Sequence, residues 1–274
     1  MAREAWDYLR TEKMPHIWCP GCGHGVLMNA LLRTMAKLDV NKDDICVVSG
    51  IGCASRLPGY LDFNTLHTTH GRAIAFATGI KLANPRLKVI VVSGDGDASA
   101  IGGNHLIHAA RRNMDITLIC MNNNIYGMTN GQYSPMTPTS MIATTAPYGN
   151  LERNFDLCKL VEVCGANYVA RSTAAHPRNI SQYIEYALTH KGFNFVEVMT
   201  QCPTYYGRRN KLGGPVDMVN LFKKNTILNT AAAKLPPEQW EGKTLIGEFV
   251  KKEDPTYLDR FDEMVGRITG GVKP

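Results

Sequence analysis

The stretch from Lys88 to Tyr126 constrains the fold more than any other part of the chain. It contains an apolar run at 89–92, a Ser-Gly-Asp-Gly-Asp turn, an interval of helical length, a second apolar run at 116–121 and three consecutive asparagines. Short, β-branched apolar runs are typical of strands buried on both faces of a parallel sheet, and the interval suits a crossover helix. We therefore predict an α/β fold with an open, mainly parallel sheet and helices on both faces.

The two ends of this stretch also predict a ligand site. A right-handed crossover brings both strand ends, with Asp95 and Asn123, to the same carboxyl edge, where open α/β sheets bind ligands. Gly94 and Gly96 allow the backbone to approach a phosphate, and Asp95 and Asn123 offer oxygen ligands for Mg²⁺. Gly-Asp-Gly alone occurs in ordinary turns, and two unrelated turns remain the alternative. An asparagine run at the next strand end makes the combination specific.

The rest of the chain continues the same alternation of elements. We predict strands at 45–48, 168–170 and 194–199, and helices at 26–38, 73–83, 104–112, 151–164, 178–189 and 257–268. Residues 124–150 show no periodicity, and so long a loop in a compact domain is usually an active-site or interface loop. After Gly207 the sequence is rich in basic residues, glycine and proline. We therefore predict one domain at 1–207 and a C-terminal extension at 208–274 that packs on a partner subunit.

Composition excludes several classes of protein. The chain has 274 residues, of which 44% are apolar, which is enough for a full core. Its net charge of +6 is spread along the chain, so we expect no nucleic-acid partner. No apolar run approaches the length of a membrane span, and the N-terminus lacks the apolar segment of a signal peptide. We expect a cytoplasmic protein without a membrane partner.

Eight cysteines without a secretion signal favour metal ligation over disulfides. Cys19 and Cys22 form a Cys-x-x-Cys turn before a predicted helix, whereas Cys53 and Cys202 follow predicted strands and face the same edge as Asp95. Four thiolates suit either a [4Fe–4S] cluster or structural zinc, and ligands dispersed around a cofactor crevice favour electron transfer. The remaining four are predicted to be buried small hydrophobic residues; they are Cys46, Cys120, Cys158 and Cys164.

Several motifs between residues 16 and 211 resemble the β subunit of 2-oxoacid:ferredoxin oxidoreductases, which are thiamine diphosphate enzymes. These motifs are Cys-Pro-Gly-Cys-Gly-His, Gly-Cys-Ala-Ser, His-Gly-Arg-Ala, Gly-Asp-Gly-Asp, Ile-Gly-Gly-Asn-His, Asn-Ile-Tyr-Gly-Met-Thr-Asn-Gly-Gln and Gln-Cys-Pro-Thr. The resemblance implies oxidative decarboxylation of a 2-oxo acid with coenzyme A. Electrons would pass singly from thiamine diphosphate through a [4Fe–4S] cluster to ferredoxin.

The same resemblance implies a partner subunit. Thiamine diphosphate enzymes need a glutamate against the cofactor's aminopyrimidine ring, held on a second domain for which this chain has no room. An α subunit is expected to supply that glutamate, in a heterodimer or a dimer of heterodimers.

The resemblance also implies residue roles. Cys19, Cys22, Cys53 and Cys202 would hold the cluster, while Asp95, Asn123 and the main-chain carbonyl of Ile125 would hold Mg²⁺. Further residues are predicted to bind the cofactor; they are Gly52, Cys53, His70, Gly71, Gly94, Gly96, Asp97 and Thr129.

Four residues are candidates for catalysis. His70 would handle a proton or orient the cofactor or substrate, unless it only caps its helix. Arg56 could bind a carboxylate of the substrate through its guanidinium, unless it forms a surface salt bridge. Met128 matches a position of the family that lines the substrate pocket, and Thr129 one near the diphosphate, although packing remains an alternative for both.

The predicted substrate is 2-oxoglutarate, which would give succinyl-CoA and CO₂. This rests on Arg56 and on the Gly-Arg-Arg-Asn-Lys segment after Cys202, which resembles members that use 2-oxoglutarate more than those that use pyruvate. Two alternatives stay open. One is a pyruvate or general 2-oxo acid enzyme, and the other is a metal-stapled α/β binding module without redox activity.

Overall fold

The computed structural model describes residues 3–270, and within them the strands form one eight-stranded sheet. The strands are β1 (Ile45–Ser49), β2 (Asn64–His67), β3 (Lys88–Gly94), β4 (Thr117–Asn122), β5 (Tyr168–Thr173), β6 (Asn194–Met199), β7 (Thr226–Leu228) and β8 (Thr244–Lys251). Their order is β2-β1-β3-β4-β6-β5-β8-β7. All neighbouring pairs are parallel except β5 and β8. The predicted open, mainly parallel sheet is confirmed.

Helices cover both faces of the sheet. They are α1 (His24–Lys37), α2 (Ala73–Ala83), α3 (Gly103–Arg111), α4 (Leu157–Val163), α5 (Pro177–Thr189), α6 (Pro215–Asn225), α7 (Asn229–Ala232) and α8 (Tyr257–Ile268). The apolar sides of α1 and α5 contribute to one buried cluster, and those of α2, α3 and α4 to a second. None of the helices in residues 3–270 has the length and apolar character needed to cross a bilayer.

The helix predicted at 151–164 begins later than expected. Asp156 accepts a hydrogen bond from the backbone N–H of Lys159 at 3.4 Å and caps α4, so the helix starts at Leu157. The strand β2 lies between the predicted strand at 45–48 and the predicted helix at 73–83, where we predicted no element. It pairs with β1 at the edge of the sheet, where only one neighbour is needed.

Strand pairing brings the predicted ligand residues together. In the register of β3 and β4, Gly94 lies opposite Met121, so Asp95 and Asn123 follow neighbouring strand ends. The ends of β1 and β6 lie at the same edge, which brings Cys53 and Cys202 to this side of the sheet. The predicted shared edge is confirmed.

The C-terminal extension lies partly on the rest of the same chain. Part of it completes the chain's own sheet, because β8 pairs antiparallel with β5 and β7 pairs with β8. Met218 of α6 is buried in a cluster with Ile125 and Cys202, close to the candidate site. Part of the apolar surface of this region therefore packs within the same chain, while other apolar side chains such as Val216 and Ile268 are exposed. Packing on a partner subunit stays a prediction.

Candidate active site at the carboxyl edge of the sheet

A cavity of about 330 Å³ lies at the carboxyl ends of β1, β3 and β4. Most residues predicted from the sequence to bind a cofactor or substrate line it. These are Gly52, Cys53, His70, Gly94, Asp95, Gly96, Asp97, Asn123, Ile125, Met128 and Thr129. The fold thus gathers four separate turns around one space.

Asp95 is a buried carboxylate without a cationic partner among the described residues. Its side chain accepts a hydrogen bond from the Ser134 hydroxyl, and backbone N–H groups of Gly96 and Asn123 also face it. Burial nevertheless raises the pKa of Asp95 to about 7. A buried carboxylate normally needs a positive partner. The site therefore has the charge and the oxygen ligand that a divalent cation requires.

The asparagine run forms a tight turn after β4. The side-chain oxygen of Asn123 accepts the N–H of Ile125 at 3.3 Å, and Asn124 adopts a left-handed φ of 60°. Asparagine tolerates this conformation better than most residues do. The turn brings both Asn123 and Ile125 to the cavity wall.

Asp97 holds the turns in place instead of pointing its oxygens freely into the cavity. It accepts the N–H of Gly71 at 2.6 Å, the hydroxyl of Ser93 at 2.6 Å and the N–H of Ile51 at 3.4 Å. Its carboxylate also lies 2.9 Å from Nδ1 of His70. Groups of the protein thus occupy both carboxylate oxygens of Asp97. A contact between Asp97 and a cofactor stays a prediction.

His70 lines the cavity and is oriented by Asp97, which leaves its Nε2 atom for a ligand. It makes no capping bond to α2, whose N-cap position is Arg72. The capping alternative is therefore wrong.

Two of the residues predicted to bind the cofactor or the substrate do not line this cavity. Gly71 adopts φ of 70°, and a Cβ atom there would lie 2.1 Å from the side chain of Ile101, so this glycine permits close packing of two segments. Arg56 is exposed on the 3₁₀ helix Ala54–Tyr60, where its charge contributes to lowering the pKa of His67 after the larger effect of burial. Arg56 thus lies at the same edge but outside the cavity.

The four predicted cluster cysteines line a second cavity of about 250 Å³. Both cavities share Cys53, Asn123, Gly127 and Met128 as lining residues. A Cβ atom on Gly127 would lie 3.4 Å from Sγ of Cys53 and 3.8 Å from Sγ of Cys202, so a side chain there would fill the space between the sulfurs. The two cavities are therefore neighbours that share Cys53 in their wall.

Hydrogen bonds attach the N-terminal Cys-x-x-Cys turn to this edge. The N–H of Gly23 donates to the carbonyl of Gln201 at 3.1 Å, and the Gln201 side chain donates to the carbonyl of Gly21 at 3.0 Å. The indole N–H of Trp18 donates to the carbonyl of Cys53 at 2.7 Å. The three segments that carry the cysteines are thereby fixed to one another.

The surroundings of the cysteines oppose free thiolates. Burial, with a further contribution from the neighbouring cysteines, raises the pKa of Cys22 to about 12 and that of Cys53 to about 11. Only a bound metal would hold such thiols deprotonated at neutral pH. Across residues 3–270, however, no three His, Cys, Asp or Glu side chains surround a point where a single metal ion could bind.

The other cysteines largely match the prediction. Cys46, Cys120 and Cys158 are buried, whereas Cys164 is only half-buried. All eight cysteines are free.

The sequence did not reveal three residues of the site. Ser134 comes from the long loop without any distinguishing pattern. Tyr126 donates to the carbonyl of Gly96 at 3.2 Å, and a Cβ atom on Gly96 would lie 2.2 Å from the tyrosine ring. His24 is buried in the cavity wall, where burial lowers its pKa to about 4. Its position at the end of the Cys-Pro-Gly-Cys-Gly-His motif was an available signal.

Comparisons with known proteins agree with this geometry. Residues 50–198 match the family described as thiamine pyrophosphate enzyme, C-terminal TPP binding domain. The 2-oxoglutarate synthase subunit KorB of Methanothermobacter marburgensis is 53% identical over 265 residues, which cover 97% of this chain and 93% of the relative. The KorB subunit of Archaeoglobus fulgidus is 54% identical over 266 residues, covering 96% and 95% of the two chains.

A solved structure is also similar over nearly the whole chain. It is described as 2-oxoglutarate:ferredoxin oxidoreductase from Magnetococcus marinus with 2-oxoglutarate, coenzyme A and succinyl-CoA bound. The TM-score is 0.85 at 35% identity, and the match covers 99% of this chain and 97% of the other. From the cavity, the sequence relatives and this structural match together, the chain belongs to the thiamine pyrophosphate-binding β subunits of 2-oxoglutarate:ferredoxin oxidoreductases, the KorB family.

Proposed function

We propose that this chain binds thiamine diphosphate and Mg²⁺ in the larger cavity and a [4Fe–4S] cluster in the cysteine cavity. As one subunit of a cytoplasmic enzyme, it would convert 2-oxoglutarate and coenzyme A to succinyl-CoA and CO₂ and deliver electrons to ferredoxin. The observation that carries the proposal is the contact between the two cavities, which share Cys53. Electron transfer needs such a short path between the two groups.

The larger cavity fits a magnesium diphosphate. Asp95 would provide the charged oxygen ligand, Asn123 its side-chain oxygen and Ile125 its main-chain carbonyl. Gly94 and Gly96 line this side of the cavity without adding a side chain to it. When bound, thiamine diphosphate supplies the means to stabilise the carbanion left by CO₂ loss. His70, oriented by Asp97, is available to move a proton at Nε2.

The cysteine cavity fits a multi-iron group better than zinc. Four thiolates around one zinc ion all lie about 2.3 Å from it. The described residues offer no such compact group, although Cys19, Cys22, Cys53 and Cys202 line one cavity. Wider spacing around a shared space is what a cluster of four irons requires.

The substrate assignment rests on the relatives and on Arg56. The KorB relatives are named for 2-oxoglutarate, and the similar solved structure is described with that acid, coenzyme A and succinyl-CoA. Arg56 is exposed, has no ion-pair partner among the described residues and lies near His67 at the cavity's edge. We therefore retain Arg56 as the proposed ligand of the distal carboxylate.

The larger cavity lacks one group that the proposed chemistry needs. No glutamate lines it in the described part of the chain. An α subunit, which the names of the relatives imply, would supply this carboxylate. Exposed apolar side chains at the end of the long loop support a partner surface there, since Tyr148 is 100% and Leu151 92% exposed.

The decisive experiment is an anaerobic purification of the complete enzyme. We expect bound thiamine diphosphate, four irons per chain at the cysteine site and reduction of ferredoxin that depends on 2-oxoglutarate. The same assay with pyruvate tests the substrate assignment. A colourless, zinc-containing protein without ferredoxin reduction would favour the metal-stapled binding module instead.

The substitution Cys53→Ser tests the path between the cavities. We expect it to lower ferredoxin reduction by more than about tenfold, while thiamine diphosphate still binds. Cys46→Ala is the matched control, because Cys46 lies in β1 of the same strand-turn unit but lines neither cavity. A normal rate of ferredoxin reduction in Cys53→Ser would remove the cluster from the path.

A further inference from the structure

A chain of buried polar contacts lies behind the asparagine turn and is not explained by the roles assigned above. Asn122, the last residue of β4, is 3% exposed. Its side-chain N–H donates to Oε1 of Glu197 at 2.7 Å, and its side-chain oxygen accepts the N–H of Asn124 at 3.1 Å. The side chain therefore connects the turn that carries Asn123 with the neighbouring strand β6.

The orientation of Glu197 is fixed from the other side. Its Oε2 atom accepts from Nε of Arg171 at 2.6 Å and from the thiol of Cys158 at 3.4 Å. Arg171 also donates to Asp156 at 2.6 Å and to the carbonyl of Leu245 at 3.4 Å. Glu197 is 1% exposed and Arg171 7%. A fully bonded carboxylate of this kind has one available orientation, with Oε1 toward Asn122.

Stability alone does not explain a buried ion pair at this position. Well-packed apolar residues of similar volume often stabilise a protein as much as a buried ion pair does, because the pair must first lose its water. What apolar residues cannot provide is an acceptor that fixes the rotation of the Asn122 amide. That rotation determines which atom of Asn122 meets the N–H of Asn124, the residue with left-handed φ.

We propose that Asn122 and Glu197 are positioning residues for the magnesium site, with Arg171 holding Glu197 in register. The inference rests on the proposed function, because it assumes that Asn123 and Ile125 hold Mg²⁺. Glu197 fixes the orientation of the Asn122 amide, and that amide fixes the turn at Asn124. The turn then sets the positions of the side-chain oxygen of Asn123 and the main-chain carbonyl of Ile125. Groups that orient metal ligands in this way affect metal affinity without touching the metal.

Because Asn122 donates and Glu197 accepts in this contact, substitutions can exchange the two roles. In Glu197→Gln, the new amide oxygen must accept from Arg171, so its NH₂ group opposes the NH₂ of Asn122. In Asn122→Asp, the new carboxylate opposes Glu197. The double variant Asn122→Asp/Glu197→Gln restores every hydrogen bond. Donor and acceptor are exchanged only between positions 122 and 197, since the new carboxylate at 122 still accepts from Asn124 and the new amide oxygen at 197 still accepts from Arg171. It also keeps the net charge of the network.

The measurement is the dissociation constant of Mg²⁺ with thiamine diphosphate, determined by calorimetry on the complete enzyme stripped of both. Mn²⁺ replaces Mg²⁺ in a parallel spectroscopic titration. We expect each single variant to weaken binding by about 10- to 100-fold, and the double variant to recover most of this loss. Thermal unfolding of the stripped enzyme reports stability separately.

Lys81→Met is the matched control for losing a buried ion pair. Lys81 is 4% exposed and lies 2.6 Å from Asp115, near the start of β4 and away from the turn. We expect it to lower the unfolding temperature and leave the dissociation constant within about twofold. Equal dissociation constants in wild type and both single variants would overturn the inference. The inference would also be overturned if the loss of Mg²⁺ affinity paralleled the loss of unfolding temperature in every variant, Lys81→Met included. A double variant that binds Mg²⁺ no more tightly than the single variants would overturn it as well.

Asp95→Ala separates this inference from the proposed function. If Asp95→Ala binds Mg²⁺ and thiamine diphosphate normally, the magnesium site itself is wrong and the inference fails with it. If Asp95→Ala abolishes binding while the variants at 122 and 197 bind normally, only the positioning role fails.

Discussion

At the scale of single residues, the unpaired buried carboxylate of Asp95 leads to the first prediction. Asp95→Ala should abolish retention of Mg²⁺ and thiamine diphosphate, because the only charged oxygen ligand proposed for the metal is lost. The iron content should remain, since the cysteine cavity uses other ligands. Metal analysis and cofactor assay of the purified enzyme measure both. Full activity with bound thiamine diphosphate in this variant would refute the site.

The exposed Arg56 leads to the second prediction. A charge-assisted contact with a carboxylate is worth about 1.5–3 kcal/mol. Arg56→Met should therefore lower kcat/KM for 2-oxoglutarate by about ten- to a hundredfold and leave pyruvate nearly unchanged. Arg86→Met, an exposed arginine before β3, is the control. Equal losses for both acids would mean that Arg56 serves the cofactor or the fold.

The same variant has a consequence for pH dependence. Burial and then the Arg56 charge lower the pKa of His67, so removing that charge should raise this pKa toward its ordinary value. A histidine with a lowered pKa reduces stability as the pH falls below about 6.5, because the unfolded chain then binds more protons. Arg56→Met should lessen this loss. An NMR titration of His67 in both proteins measures the shift of its pKa. An unchanged pKa would show that the Arg56 charge does not act on His67.

At the scale of secondary structure, the role of β8 leads to a prediction about truncation. A chain ended after Gly207 would leave β5 as an edge strand, and Asn113 and Asn167 would lose their bonds to the carbonyl of Asp254. We expect its unfolding temperature to fall by about 10 °C or more, with aggregation through the open edge. Calorimetry and light scattering measure both effects.

A chain ended after Thr256 is the control for that truncation. It keeps β8 and removes α8, which has no buried residues among those described. Its stability should stay close to that of the full chain. A chain of residues 1–207 with unchanged stability would instead support the predicted domain boundary after Gly207.

The sequence predicted the central elements well, and the reason is their pattern. Runs such as 89–92 are apolar throughout because both of their faces are covered, and this signal is hard to mistake. Strands β2, β7 and β8 were missed because they lie toward the edges of the sheet and are only partly buried. Their sequences lack the continuous apolar run that we relied on.

The polar network behind the site could have been predicted in part. Glu197 and Arg171 each stand inside a strand that is otherwise buried on both faces. A charge at such a position requires a partner, so the two residues could have been matched. The contact between Ser134 and Asp95 could not, because the long loop has no periodicity from which to infer its path.

At the scale of the whole molecule, no glutamate of residues 3–270 lines the larger cavity, and apolar side chains such as Leu151 are exposed. The chain by itself should therefore turn over no 2-oxo acid. Leu151→Glu should weaken association with the α subunit by at least about tenfold, because a charge would be buried at the interface. Analytical ultracentrifugation with the partner measures this. Val163→Glu is the control, because Val163 is 87% exposed at the end of α4, outside the long loop and the C-terminal extension. Turnover by the isolated chain would contradict the prediction.

The four bonds to Asp97 have a consequence for the kinetics of ligand binding. They tie three turns together through groups of the protein alone, so the shape of the cavity is set before any ligand arrives. A ligand that enters a preformed cavity loses less free energy to ordering of the chain than one that must assemble its site. Association should then be a single fast step, governed by how quickly the ligand reaches the opening.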